Sequence, residues 1–193
     1  MKLTANIESL GIPELFGNAT KRILLHAAVY GPFAQSRPHK SGLTKALARK
    51  SFERLNIIAL TAGHPQSYRN HFLEILRTGA SKETQMDTVH ASDAFLEKLK
   101  ATYPAKVFIH PQTTAPCQPI IIVDNTIIFG QYAHCTTYAA HGFWGIIHTD
   151  VDKLLRWSEG NIPAEATDEE IAAYRLVCEC RHAMQYGDSS CIN

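Results

Sequence analysis

The chain has 193 residues, 45% of them hydrophobic, which is enough for one sizeable core. Its 19 lysines and arginines nearly cancel its 18 aspartates and glutamates, so no global field marks it for a polyanion or a membrane surface. No apolar run approaches the ~20 residues that span a bilayer, and the opening MKLTANIESLGIPELFGN holds no continuous apolar core of a secretory signal. A cytoplasmic protein is expected. The cysteines, Cys117, Cys135, Cys178, Cys180 and Cys191, are odd in number and follow no regular framework, which reads as reduced thiols.

A polar, loosely packed start gives way at residues 22–30 (RILLHAAVY) to a predicted buried strand, ended by Gly31-Pro32. Residues 33–42 (FAQSRPHKSG) read as a loop carrying Arg37, His39 and Lys40. Apolar residues at helical spacing predict a helix over 43–55, with Lys45, Arg49, Lys50 and Arg54 as its basic outer face. Residues 56–61 (NIIALT) form a second strand, stopped by Gly63 and Pro65. A helix over 66–77 closes at Gly79, and another over 92–101 opens with Ser92 as its cap and stops at Tyr103-Pro104. Strands follow over 106–110, 119–124 and 126–132, the last two joined by Asp124-Asn125, residues suited to a tight hairpin turn. Residues 143–148 give a further strand. A helix over 150–159 has Asp150 as its cap, and one over 167–186 opens with the capping-box pattern Thr167-Asp168-Glu169-Glu170. This order predicts an α/β fold, a mixed sheet sandwiched by helices. One domain is expected over 1–193, with its core at about 21–157 and a C-terminal helical tail over 162–193.

The run Ile120-Ile121-Ile122-Val123-Asp124, the hairpin Asn125-Thr126-Ile127-Ile128-Phe129-Gly130 and the strand and helix over 143–157 resemble one half-domain of the phospholipase D-like superfamily. That family's signature is a histidine, one residue, a lysine, four residues and an aspartate, followed by a glycine. Counting back from Asp124, the histidine position holds Cys117 and the lysine position Pro119, while Asp124 and Gly130 match. The resemblance implies the half-domain fold and pairing of two halves as a homodimer. It also implies loss of the standard chemistry, because a phosphohistidine intermediate needs the histidine and proline cannot neutralise phosphate.

Four histidines, His110, His134, His141 and His148, fall at or near strand ends. Imidazole is the side chain best suited to proton transfer near neutral pH, so His134, His110 and His141 are the candidate catalytic residues, with His134 first because it follows Gly130 closely. His148 reads as structural, beside the Asp150 cap. Arg37, Lys40 and Lys106 are the candidate phosphate or ligand contacts; Arg37 and Lys40 lie just past the first strand, where α/β sheets bind ligands. A Cys117 thiolate would need a neighbouring cation, which TAPCQP does not supply. Cys178 and His182, one helical turn apart, could share zinc, with Cys180 pointing away. Structural zinc takes ligands from two knuckles and only one cluster is present, so no metal or cofactor is expected.

The expected function is a non-catalytic module that binds a phosphate-bearing ligand or nucleic acid, as a homodimer and without a membrane. The alternative is a phosphodiesterase or nuclease with a relocated site around His134, served by Lys106 or Lys40.

Overall fold

The computed structural model describes residues 1–60, 72–74, 81–112, 116–132 and 139–187. Seven strands form one mixed sheet: β1 (Lys2–Thr4), β2 (Arg22–His26), β3 (Arg54–Ala59), β4 (Val107–Pro111), β5 (Ile120–Val123), β6 (Thr126–Gly130) and β7 (Trp144–His148). Their order is β1-β7-β6-β5-β2-β3-β4. β2, β3 and β4 are parallel to one another, and every other pairing is antiparallel. The α/β class and the mixed sheet are as the sequence predicts.

Strand alternation sends the two halves of each apolar run to opposite faces. Ile23, Leu25, Leu55, Ile57, Ile121, Val123 and Ile128 pack with helices α1 (Ile12–Asn18), α3 (Arg37–Ala48) and α4 (Lys82–Thr102). Leu24, Ile58, Ile120, Ile122, Ile127 and Ile147 pack with α5 (Val151–Trp157) and α6 (Asp168–Gly187). A short helix α2 (Gly31–Gln35) links β2 to α3. No helix among the described residues is long and apolar enough to cross a membrane.

Several elements differ from expectation. The start of the chain is ordered: β1 pairs with β7, a 3-10 turn follows at Ile7–Leu10, and α1 buries Ile12 and Phe16. Asn6 caps the turn by accepting from Glu8 N, Gly11 takes φ +60°, and Pro13 sits in the first turn of α1, where its missing N–H costs nothing. α1 then crosses α3 closely, because a Cβ at Gly42 would stand 2.4 Å from the Pro13 carbonyl oxygen.

The expected loop over 33–42 is helical, and α3 runs Arg37–Ala48 instead of 43–55. Pro38 lies in the first turn of α3, so it begins a helix inside the expected loop. Arg54 belongs to β3, and Arg49, the C-cap, donates to Gly17 O and Ala19 O at the end of α1. The predicted basic face is therefore divided among three structural positions. Helix α4 begins at Ser81, whose hydroxyl accepts from Thr84 N, eleven residues before the expected cap. Ser92 is instead buried mid-helix and accepts the N–H of Tyr30, a donor that the start of α2 cannot satisfy itself. The predicted helix over 66–77 lies outside the described residues except at 72–74, which are helical. The caps at Asp150 and at Thr167/Glu170 form as expected.

Candidate functional site

Because β2, β3 and β4 are parallel, their C-terminal ends share one edge of the sheet. The antiparallel registers bring the start of β5, the end of β6 and the start of β7 to the same edge. One row across the sheet reads His110, Ile58, His26, Ile120, Phe129, Gly145. All of these point to the face covered by α5 and α6.

His26 ends β2 fully buried, with its Nε2 3.1 Å from Gln112 Nε2. Gln112 is also buried, just past β4, and its N–H donates to Ala59 O. With Gln112 donating, the imidazole proton lies on Nδ1. Nδ1 and the Gln112 Oε1 are both buried without a hydrogen-bond partner among the described residues. Burial pushes the His26 pKa down from 6.5 to about 4, so the ring is neutral at pH 7. It can offer a hydrogen bond in this form. It is too enclosed to act as a nucleophile on a substrate outside.

Two tyrosines secure this edge. Tyr30 Oη accepts from Ala27 N and donates to Ile58 O at 2.6 Å, and Tyr132 Oη accepts from Ala28 N. Burial raises both phenol pKa values, so neither ionises near neutrality.

The hairpin that carried the family resemblance is built as follows. Asp124 takes φ +47°, in the left-handed region that Asp and Asn tolerate better than most. Its carboxylate accepts from Thr20 N, Thr20 Oγ1, Lys21 N and Arg22 N, all within 2.8–2.9 Å. Burial acts to raise its pKa, but the donors from Arg22, Thr20 and Lys21 together hold it below the usual carboxylate range. Gly130 is required because a Cβ there would stand 2.7 Å from a Trp144 ring carbon; Gly145 likewise faces the Phe129 ring at 2.4 Å. Pro119 is buried and its carbonyl accepts from Gly130 N, while Cys117 is exposed.

The other candidates do not gather at one place. His134 lies outside the described residues. His110 is half-buried on β4 with its Nε2 3.1 Å from Asn56 Oδ1. His141 is exposed, in the 3-10 turn Ala139–His141 before β7. Five strand spacings, about 24 Å, separate β7 from β4, so these two cannot share a pocket. His148 sits at the opposite end of β7, bonded to Thr126 Oγ1. Arg37 and Lys40 are exposed in the first turn of α3, beyond the end of β2. Lys106 precedes β4, at the other end of the strands, and its ammonium is held by Leu47 O and Arg49 O at the end of α3.

On α6, Cys180 is fully buried, Cys178 half-buried and His182 exposed. Among the described residues no three His, Cys, Asp or Glu side chains converge as a metal site.

Sequence reading missed His26 and Gln112. The only signal was one histidine in an otherwise apolar strand, and its partner is 86 residues away.

No family model matches the chain, and no curated protein is significantly similar to it in sequence. Solved structures similar to it include TrmBL2, an archaeal chromatin protein with a novel mode of DNA binding, at 13% identity and a TM-score of 0.40, over 82% of this chain and 49% of that one. A phosphatidylserine synthase of Haemophilus influenzae is similar at 14% identity and a TM-score of 0.44, over 96% of this chain and 44% of the other. The chain thus spans about half the length of these structures. The class defined by fold and edge is an α/β sandwich on a mixed seven-stranded sheet.

Proposed function

We propose that this chain is a phospholipase D-like half-domain that has given up the family's catalytic histidine and lysine and acts by binding. Its ligand is a phosphate-bearing molecule, nucleic acid included, held without turnover by a homodimer. The observation that carries this reading is the β5–β6 hairpin. It keeps an aspartate and a glycine with clear structural duties, while Pro119, which is buried, fills the lysine position and has no side-chain donor. Arg37 and Lys40, exposed beyond the end of β2, are the proposed phosphate contacts.

The test pairs a binding and a turnover assay. A labelled single-stranded oligonucleotide, followed by anisotropy, is expected to bind saturably and more weakly as salt rises. Bis(p-nitrophenyl) phosphate should release no p-nitrophenolate above buffer. Arg37→Ala with Lys40→Ala should weaken binding several-fold. Hydrolysis that disappears in His134→Ala would instead establish the competing reading, a phosphodiesterase or nuclease with a relocated site. Absence of any phosphate-dependent binding would sink both.

A further inference from the structure

A cavity of about 450 Å3 opens at the end of the strands opposite the His26 edge, between the sheet and helices α5 and α6. Its size falls in the range of small-molecule sites. Leu24, Ile122, Val151 and Val177 give it an apolar wall, and Lys21, Arg22, Arg54 and Arg181 stand against Glu53 and Glu159.

Arg22 and Arg54 are directly opposite in the parallel register of β2 and β3, and both project to the cavity face. Like charges facing each other across neighbouring strands repel unless an anion lies between or beside them. Asp152 supplies one such anion: Arg22 Nη2 and Lys21 Nζ, the latter at 2.7 Å, both bind its carboxylate. That carboxylate has one oxygen on each cation. Arg22 Nη1 remains buried without a hydrogen-bond partner, and the Arg54 side chain makes no ion pair or hydrogen bond among the described residues. Arg181 is engaged with Ser158 Oγ and, at 3.5 Å, with Glu159. Arg54, exposed and without an ion pair among the described residues, therefore lines the cavity together with the apolar wall.

We propose that this cavity binds a small amphipathic anion, a carboxylate or phosphate monoester on a short apolar tail. The head lies against Arg54 beside Arg22, and the tail packs on Leu24, Ile122 and Val177. This site stands apart from the Arg37 and Lys40 contacts and does not depend on the phospholipase D-like reading.

Methyl-labelled protein titrated with octanoate, octyl phosphate and octylammonium tests it by NMR. The two anions should give saturable shifts concentrated at the methyls of Leu24, Ile122, Val151 and Val177, and their relative affinity identifies the preferred head. Octylammonium should bind far more weakly. Arg54→Gln, at an exposed position, should lower anion affinity about ten-fold, with the ligand-free methyl spectrum otherwise unchanged. Arg37→Ala with Lys40→Ala should leave octanoate binding intact. Equal binding of octylammonium, shifts spread over the surface, or full affinity in Arg54→Gln would overturn the proposal. The octylammonium comparison uses the unaltered protein and decides the matter even if the variant misfolds.

Discussion

The turn at Asp124 and the edge at His26 lie at opposite ends of the same strand pair, β2 and β5, and treat polar groups in opposite ways. Asp124 accepts four hydrogen bonds that tie the hairpin to the entry of β2. At the far end, His26 and Gln112 make one contact with each other and leave Nδ1 and Oε1 buried without partners among the described residues. A satisfied polar cluster fixes a fold, whereas one with spare capacity stabilises little by itself. The aspartate that matches the family signature is thus committed to structure.

This contrast can be broken experimentally, and the largest effect is expected at the turn. Asp124→Ala removes an acceptor from three backbone N–H groups and should destabilise the protein by about 3 kcal/mol in chemical denaturation. Asp124→Asn, which keeps one acceptor oxygen and tolerates the positive φ, should lose about half of that. A loss below about 1 kcal/mol for the alanine variant would show that water replaces the carboxylate and that the clamp is dispensable.

The two ends also separate by pH. The folded His26 pKa, about 4, lies below its unfolded value of 6.5, so the unfolded state takes up the proton first. Stability is fully present above pH 6.5 and falls between pH 6.5 and 4, by on the order of 3 kcal/mol. The depressed Asp124 pKa acts lower: its contribution is present above the ordinary carboxylate value and is lost as pH drops through the folded value. Unfolding free energies measured from pH 7 to 3 should therefore fall in two stages. His26→Leu should shrink the upper stage to the part that His39 contributes, since burial lowers its pKa as well, and should spare the lower; an unchanged upper slope would assign it to another group.

Gly145→Ala places a methyl 2.4 Å from the Phe129 ring and should cost about 2 kcal/mol as the ring is displaced. Gly130→Ala, against Trp144, should cost a similar amount with a change in the tryptophan emission spectrum. The smallest effect is expected when His26 and Gln112 are replaced together by leucine and methionine. Exchanging an under-bonded polar pair for apolar groups of similar size should leave thermal stability within about 1 kcal/mol of the parent. A larger loss would mean that the pair does more for the fold than its one hydrogen bond indicates.

How much of this could be read in the sequence differs by element, for physical reasons. The hairpin was legible because continuous β-prone apolar runs, Ile120–Val123 and Ile127–Phe129, flank Asp124-Asn125, and the turn chemistry is local. The cap at Asp150 and the box at Thr167 and Glu170 were legible for the same reason, since each is made within one helical turn. Helix α3 was misread because Pro38 acts differently in a first turn and in a helix interior, and only the position of the true N-terminus distinguishes the two. The requirement for Gly130 depends on Trp144 across a strand pair, and the duty of Lys106 depends on carbonyls at Leu47 and Arg49. Neither distant partner leaves a local mark. The pairing of His26 with Gln112 is of the same kind.

The antiparallel pairing of β1 with β7 has a consequence for the order of assembly. Residues Lys2–Thr4 are made well before Trp144–His148 but join an edge that exists only once that later strand has been made. The closing loop of the topology therefore spans most of the chain, and such non-local pairings form late and slow folding. Until they form, the outer edge of β7 presents unpaired backbone groups that can template a strand from another molecule. Refolding at increasing protein concentration is the condition under which this last-placed strand would leave its trace, as aggregation that competes with the final step.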